Sequence, residues 1–206
     1  MKNTIWLSLL FFLFAACTSR INRQKEDQLT EEQFDSLRTV YYGLNDSLAQ
    51  SWAVMMEDDD KKLTNLQLLI DEIRRADYYG ADTLDSLELM VDMLKDLRYD
   101  SVSVANSMLI DSYDSANDVV SNTIIDYVDD MQADAVSPMI SVLRDQIVNS
   151  NNSILLYRIR YDRFSEDFNI FLEKYKNVMS TIDSSGGPVY KRPMFRLVND
   201  FREEDN

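Results

Sequence analysis

The chain has 206 residues, with 36 Asp plus Glu against 21 Lys plus Arg, a formal net charge of −15, one Cys and no His. The length suits one domain with a core, and the acidic balance argues against nucleic acid as a partner and against adhesion to anionic lipid through a basic face. The lack of His excludes Ser-His-Asp and Cys-His chemistry and His-containing zinc sites, the lone Cys excludes an internal disulfide, and 4 Gly and 3 Pro leave few helix breaks.

Residues 1–16 read as an export signal. Lys2 is a short positive start, Ile5 to Phe14 is an apolar core, and Ala15-Ala16 is a small-residue cleavage site. The apolar run is shorter than the ~20 residues of a membrane span. Cys17 follows directly, and the string LFAAC resembles a bacterial lipobox, which implies that Cys17 is acylated and becomes the new N-terminus. An Asp after the Cys would resemble an inner-membrane retention signal. Thr18 stands there instead, so the resemblance implies transfer to an outer membrane, and Ser19-Arg20-Ile21-Asn22-Arg23 lacks the acidic cluster that resembles a surface-export tag, so the anchor is expected to face the periplasm. Residues 17–29 are expected to be a lipidated, polar tether.

The region 30–183 is expected to be all-α, an elongated up-and-down bundle of about four long helices, the first and last longest. Thr30-Glu31-Glu32-Gln33 fits a capping box. Apolar residues then recur at Leu37, Tyr41, Leu44, Leu48, Met55, Leu66, Leu69 and Ile73, one stripe of a long helix ending near Tyr79-Gly80. Asp82 can cap a second helix with Leu84, Leu87, Val91, Leu94 and Leu97. The pattern weakens at Tyr99 to Ser103. The stripe returns at Val102, Ala105, Leu109, Ala116, Val119, Thr123, Tyr127 and Met131. Ser137-Pro138 is an N-cap followed by Pro at the first helical position. From there Ile140, Leu143, Ile147, Ile154, Tyr157, Tyr161, Phe164, Phe168, Phe171, Tyr175, Val178 and Ile182 predict a helix over 138–182, with Ser150 as the gap. Residues 184–206 follow as an extended C-terminal tail, whose patch Met194-Phe195-Arg196-Leu197-Val198 is expected to fold back onto the bundle.

Asn152-Ser153-Ile154, then Arg158-Ile159-Arg160-Tyr161-Asp162, then Phe168-Asn169 resembles the signature of the LemA family, with Asp162 and Phe168 in place of the usual Asn and Tyr. Upstream, Trp52, Lys61-Lys62 and Leu66 to Ile70 match that family's Trp, basic pair and apolar run. The resemblance implies an elongated bundle of about four helices behind an N-terminal membrane attachment, with Trp52, Arg158, Tyr161, Asp162, Phe168 and Asn169 as signature positions. It implies no reaction.

No catalytic constellation, metal site or cofactor site emerges. The aromatic run from Tyr157 to Tyr175 reads as core. Glu57-Asp58-Asp59-Asp60 reads as a solvated face, and so do Asp126, Asp129, Asp130 and Asp134, of which Asp126, Asp130 and Asp134 would share a helix face. One pairing follows from the phase of the first helix, whose seam falls at Asp58 or Asp59 after Met55. If Thr30–Asp77 and Pro138–Ile182 run antiparallel as neighbours, Asp58 lies opposite about position 156, and Arg158 is expected to offer its forked guanidinium to Asp58 and Asp59. The functional expectation is a non-enzymatic interaction or scaffold protein of the cell envelope. A lipid attaches it to the membrane, and its partner is an envelope protein. The alternative is a periplasmic ligand- or cation-binding module using a groove between helices.

Overall fold

The computed structural model describes residues 29–195, and the fold is all-helical. Four helices make the bundle: α1 (Glu31–Arg75), α2 (Ala81–Asp96), α3 (Ser107–Asp129) and α4 (Pro138–Tyr175). A 3-10 turn, Lys176–Val178, and a final helical turn, Met179–Ile182, continue from α4. Cys17 and the expected export signal lie outside the described residues, as do Arg196, Leu197 and Val198. Among the described residues no helix is long and apolar enough to cross a membrane.

The helix starts follow from local chemistry. Thr30 Oγ1 accepts from the Gln33 backbone N–H at 3.2 Å, and Gln33 Oε1 accepts from the Thr30 N–H at 2.7 Å, a complete capping box. Ser137 accepts from the Ile140 N–H at 3.2 Å, with Pro138 next where no intrahelical donor is needed. α1 ends where Asp77 takes φ 49°, the left-handed turn that commonly closes a helix. The expected cap at Asp82 does not form. Gly80 is the N-cap, and Asp82 sits in the first turn of α2, where its charge meets the helix dipole.

α1 and α4 run antiparallel along each other, and α2 and α3 lie side by side over one half of that pair. Contacts at both ends fix the directions. Arg74 near the end of α1 pairs with Asp85 and Glu88 early in α2, while Arg98 after α2 reaches back to the Met56 carbonyl. Tyr79 Oη donates to the Tyr127 carbonyl at 2.7 Å, which returns the end of α3 to the end of α1. At the other end Arg38 donates to the Thr181 carbonyl at 3.2 Å. α1, with 45 residues, is about 67 Å long. α2 has 16 residues and α3 has 23, so only α1 and α4 run the full length.

The core is one cluster. Met55, Leu66, Leu69, Ile70, Ile73, Leu84, Leu94, Ile124, Ile140, Ile147 and Phe168 are almost wholly enclosed. The expected stripes of α1 and α4 face this core, but that of α3 is out of phase. Val102, Leu109 and Val119 are exposed, and the buried face is Ile110, Tyr113, Asn117, Val120, Ser121, Ile124 and Val128. The expected stripe started in the turn before the helix, at Val102, and carried that phase forward. The N-cap is Asn106, and the face that packs inside lies one position later. α3 also stops at Asp129, so Asp134 lies beyond it and does not share a helix face with Asp126 and Asp130.

This phase difference is testable by urea unfolding. Ile124→Ala is expected to destabilise the fold by about 2–5 kcal/mol, and Val119→Ala to stay within about 0.5 kcal/mol. Equal losses at both positions would restore the other face.

Candidate functional site

Two groups of polar side chains sit inside the bundle where the four-helix half gives way to the α1–α4 pair. The first centres on Asp59, 3% exposed, and Lys62, 4% exposed, one turn apart on α1 with Nζ to Oδ1 at 2.9 Å. Tyr113 of α3 donates its hydroxyl to both Asp59 oxygens, at 2.6 and 2.7 Å. Burial, and then the charge of Asp59, hold that phenol far above its ordinary pKa, so it remains a donor. Arg98 Nε lies 3.0 Å from Asp59 Oδ2, an ion-pair contact without hydrogen-bond alignment. Arg98 also bonds Asp60 and the Met56 carbonyl.

The expected solvated face Glu57–Asp60 is therefore wrong in its middle. Glu57 pairs with Lys61, Asp58 Oδ2 accepts from Ser150 Oγ at 2.6 Å, and Asp59 faces the core among cations. Ser150, the gap in the α4 stripe, is the group that meets Asp58. On α3, Asp129 takes a bidentate pair with Arg144 at 3.0 and 3.1 Å.

The second group centres on Arg158 of α4. Its guanidinium forks onto Asp114, with Nη1 to Oδ2 at 2.7 Å and Nη2 to Oδ1 at 2.6 Å, and Nη2 also donates to Tyr99 Oη at 2.9 Å. Burial works against this charge, but the bonds to Asp114 and the Tyr99 contact outweigh it and raise its pKa further. The expected pairing of Arg158 with Asp58 and Asp59 is thus corrected. The helices are antiparallel neighbours as expected, but Asp58 meets Ser150 instead of position 156. Arg158 is nearer the α2–α3 connection, where Asp114 and Tyr99 wait.

The remaining signature positions converge on the tail. Past Asp183 the chain turns at Ser184–Pro188 and runs back along the α1–α4 groove, over the half that α2 and α3 leave uncovered. Asn169 holds Arg192 by both backbone groups, donating Nδ2–H to its carbonyl at 2.8 Å and accepting its N–H on Oδ1 at 2.7 Å. Arg192 donates to Asn45 Oδ1 at 3.1 Å and lies over the Phe168 ring at 5.1 Å. Asp162 Oδ1 accepts the Phe195 N–H at 2.8 Å. The Phe195 ring, 7% exposed, stacks on Trp52 and meets Tyr99 and Tyr161 edge-on, with centroids at 6.5, 5.8 and 5.7 Å. Arg158 Cζ lies 5.1 Å from the same ring, a cation over a π face.

Trp52, Arg158, Tyr161, Asp162, Phe168 and Asn169 are therefore brought together as one seat for the chain's own segment 192–195. Folding back of Met194-Phe195 is as expected. Sequence reasoning missed Arg98, Tyr99, Tyr113, Asp114 and Arg192. A correctly phased α3 would have put Tyr113 inside with Asp114 beside it. Nothing local marks Arg98, Tyr99 or Arg192.

Two predictions follow from these geometries. Asp59→Ala leaves buried Lys62 without its carboxylate and is expected to lose about 3–5 kcal/mol of stability in urea unfolding. The triple change Asp59→Leu, Lys62→Met and Tyr113→Phe, which also removes the hydroxyl that Asp59 accepts, should regain most of it; a triple variant as weak as the single would show that the buried polar group is not the cause. The second concerns pH. Burial raises the Asp162 carboxyl above its ordinary 3.8, opposed by the Phe195 N–H and Arg158. The folded carboxyl holds its proton more tightly than the unfolded one, so this group's contribution is complete below 3.8 and is lost as pH rises through the raised folded value. Relative to Asp162→Asn, the wild type is expected to lose stability across that window and level off above it. A difference that grows in the wild type's favour with pH would reverse the assignment.

Comparison with family models, with curated proteins and with solved structures returned no match.

Proposed function

We propose that this chain is a lipid-anchored protein of the cell envelope whose helical bundle holds a protein partner and carries out no reaction of its own. The observation that carries the interaction reading is the seat at Trp52 and Asn169, which holds an extended stretch of chain by main-chain hydrogen bonds and one aromatic anchor. Peptide recognition commonly takes this form: backbone bonds supply attachment, and a side-chain pocket supplies choice.

The anchor reading is supported by the sequence: an apolar run, two alanines, and the chain's one Cys at position 17. Thr18 favours the outer membrane, and the lack of an acidic cluster over residues 19–23 favours a bundle facing the periplasm. A LemA-like kinship belongs to the same proposal, supported by the gathering of six of its signature positions, Trp52, Arg158, Tyr161, Asp162, Phe168 and Asn169, at a single seat. Tethering both partners to one compartment raises their effective concentration, so a modest intrinsic affinity suffices.

Metabolic labelling with a fatty acid is expected to mark the wild type and leave Cys17→Ser unmarked. Equal labelling of the two would remove the anchor. Crosslinking in intact cells should recover a protein with the wild type; recovery of none would remove the interaction reading.

A further inference from the structure

We propose that the outer face of α4 between Leu156 and Lys174 is a two-fold interface, on which a second copy of this chain packs with its own α4 antiparallel to the first. The surface lies on the flank of the α1–α4 pair away from residues 192–195, and the proposal does not depend on the partner reading above.

This face combines apolar and basic groups on a chain that is acidic overall. Leu156 is 66% exposed, and Ile159 and Ile170 are exposed with it. Leu156, Ile159, Arg160, Arg163, Phe164 and Asp167, all of α4, form a groove along the helix surface, the kind of relief into which the ridge of another helix packs. The exposed apolar residues of α2 are placed differently: Leu89 and Met93 stand among Asp85, Glu88, Asp92 and Asp96. A second copy, with a net charge of −15, is repelled by such a surface, whereas Arg160 and Arg163 attract it to α4. Among the described residues, Arg160, Arg163 and Asp167 are exposed and take part in no salt bridge, so these charges are open to pairing across an interface.

Two features set the same register. Between α1 and α4 on this flank, Leu37, Val40, Leu44, Ile170, Phe171 and Tyr175 line a mainly apolar cleft of about 300 Å³, whose α4 wall centres near Phe171. A projecting aliphatic side chain fits it, and Leu156 of an antiparallel copy supplies one. With Leu156 of one copy opposite Phe171 of the other, one turn inward along both helices brings Arg160 opposite Asp167. The two-fold axis repeats each contact, so one interface fills two clefts and forms two ion pairs. Arg163 lies beside the axis and reaches toward the same carboxylate. A parallel arrangement would instead set Arg160 and Arg163 against their own copies. One helix pair buries less than the ~800 Å² per partner of a standard interface, so the dimer is weak.

Sedimentation velocity of the full chain in non-ionic detergent is expected to show a monomer–dimer equilibrium with Kd on the order of 10–100 µM. Arg160→Asp alone and Asp167→Arg alone each bring like charges together at both symmetric contacts, and each should weaken the dimer at least about tenfold. The double variant Arg160→Asp with Asp167→Arg restores opposite charges at both contacts, as does an equimolar mixture of the two single variants. Both preparations should dimerise again. A wild type that stays monomeric at every concentration overturns the proposal and leaves the face to another occupant. A dimer indifferent to the single changes, or one that neither the double variant nor the mixture restores, overturns the interface equally. The substituted side chains are exposed, and circular dichroism checks that each variant keeps its helix. Should a charge variant lose it, Leu156→Ser, which empties both clefts, replaces it. That change should also weaken the dimer about tenfold, and an undiminished dimer overturns the proposal.

Discussion

A 16-residue helix cannot cover a 45-residue one. That mismatch between α2 and α1 sets the terms for the rest of the molecule. α1 and α4 present apolar residues to each other from Tyr41 and Phe171 at one end to Ile73 and Ile140 at the other. Over one half, α2 and α3 complete a four-helix section. Over the other, two helices alone would expose the groove containing Tyr161 and Phe168. An extended strand is long for its mass, at about 3.3 Å per residue against 1.5 Å in a helix. The short segment after Pro188 therefore suffices to cover this groove and carry Phe195 to the junction. Burying that one ring contributes on the order of 1.5–3 kcal/mol.

The junction between the two halves is where Asp59, Lys62 and Arg158 are buried, with Arg98 and Asp114 reaching them from the partly exposed edge. Asp59, Lys62, Arg98 and Tyr113 form one group, and Arg158, Asp114 and Tyr99 the other. The Tyr99 and Tyr113 rings meet edge-on at 5.5 Å and join them. Buried ion pairs add little net stability, because desolvation offsets their attraction. Their geometry does constrain alignment. Sliding α4 by one turn along α1 would carry Arg158 away from Asp114 and Ser150 away from Asp58, leaving charges enclosed without partners. An apolar seam tolerates such a slip far better. The same polar residues place Tyr99 and Arg158 as walls of the cage around Phe195, so alignment of the bundle and shape of the seat have a common cause.

Much of this was legible in the residues themselves. Thr30 with Gln33, and Ser137 with Pro138, announce helix starts through short-range chemistry that needs no other part of the chain. The 3–4 spacing in α1 and α4 persists long enough to name their buried faces. α3 is the counterexample. Its stripe could be drawn through Leu109 and Val119 or through Ile110 and Val120, since hydrophobic residues stand at both, and Tyr113 and Asn117 look polar enough to belong outside. Tertiary packing decided the matter, because both polar residues find partners indoors, Asp59 for one and Asn151 for the other.

The amino-acid sequence alone determined the helical class, the caps at Thr30 and Ser137 and the two long helices, because each depends on period or on contacts a few residues apart. Only the tertiary structure decided which carboxylate Arg158 takes, that Asp59 lies inside, and that Trp52, Tyr161, Asp162, Phe168 and Asn169 face one segment of tail. Those outcomes depend on where α2 stops and how far α4 is displaced along α1. A shift of a few residues, too small to alter any pattern in the sequence, moves a side chain past one partner and onto the next.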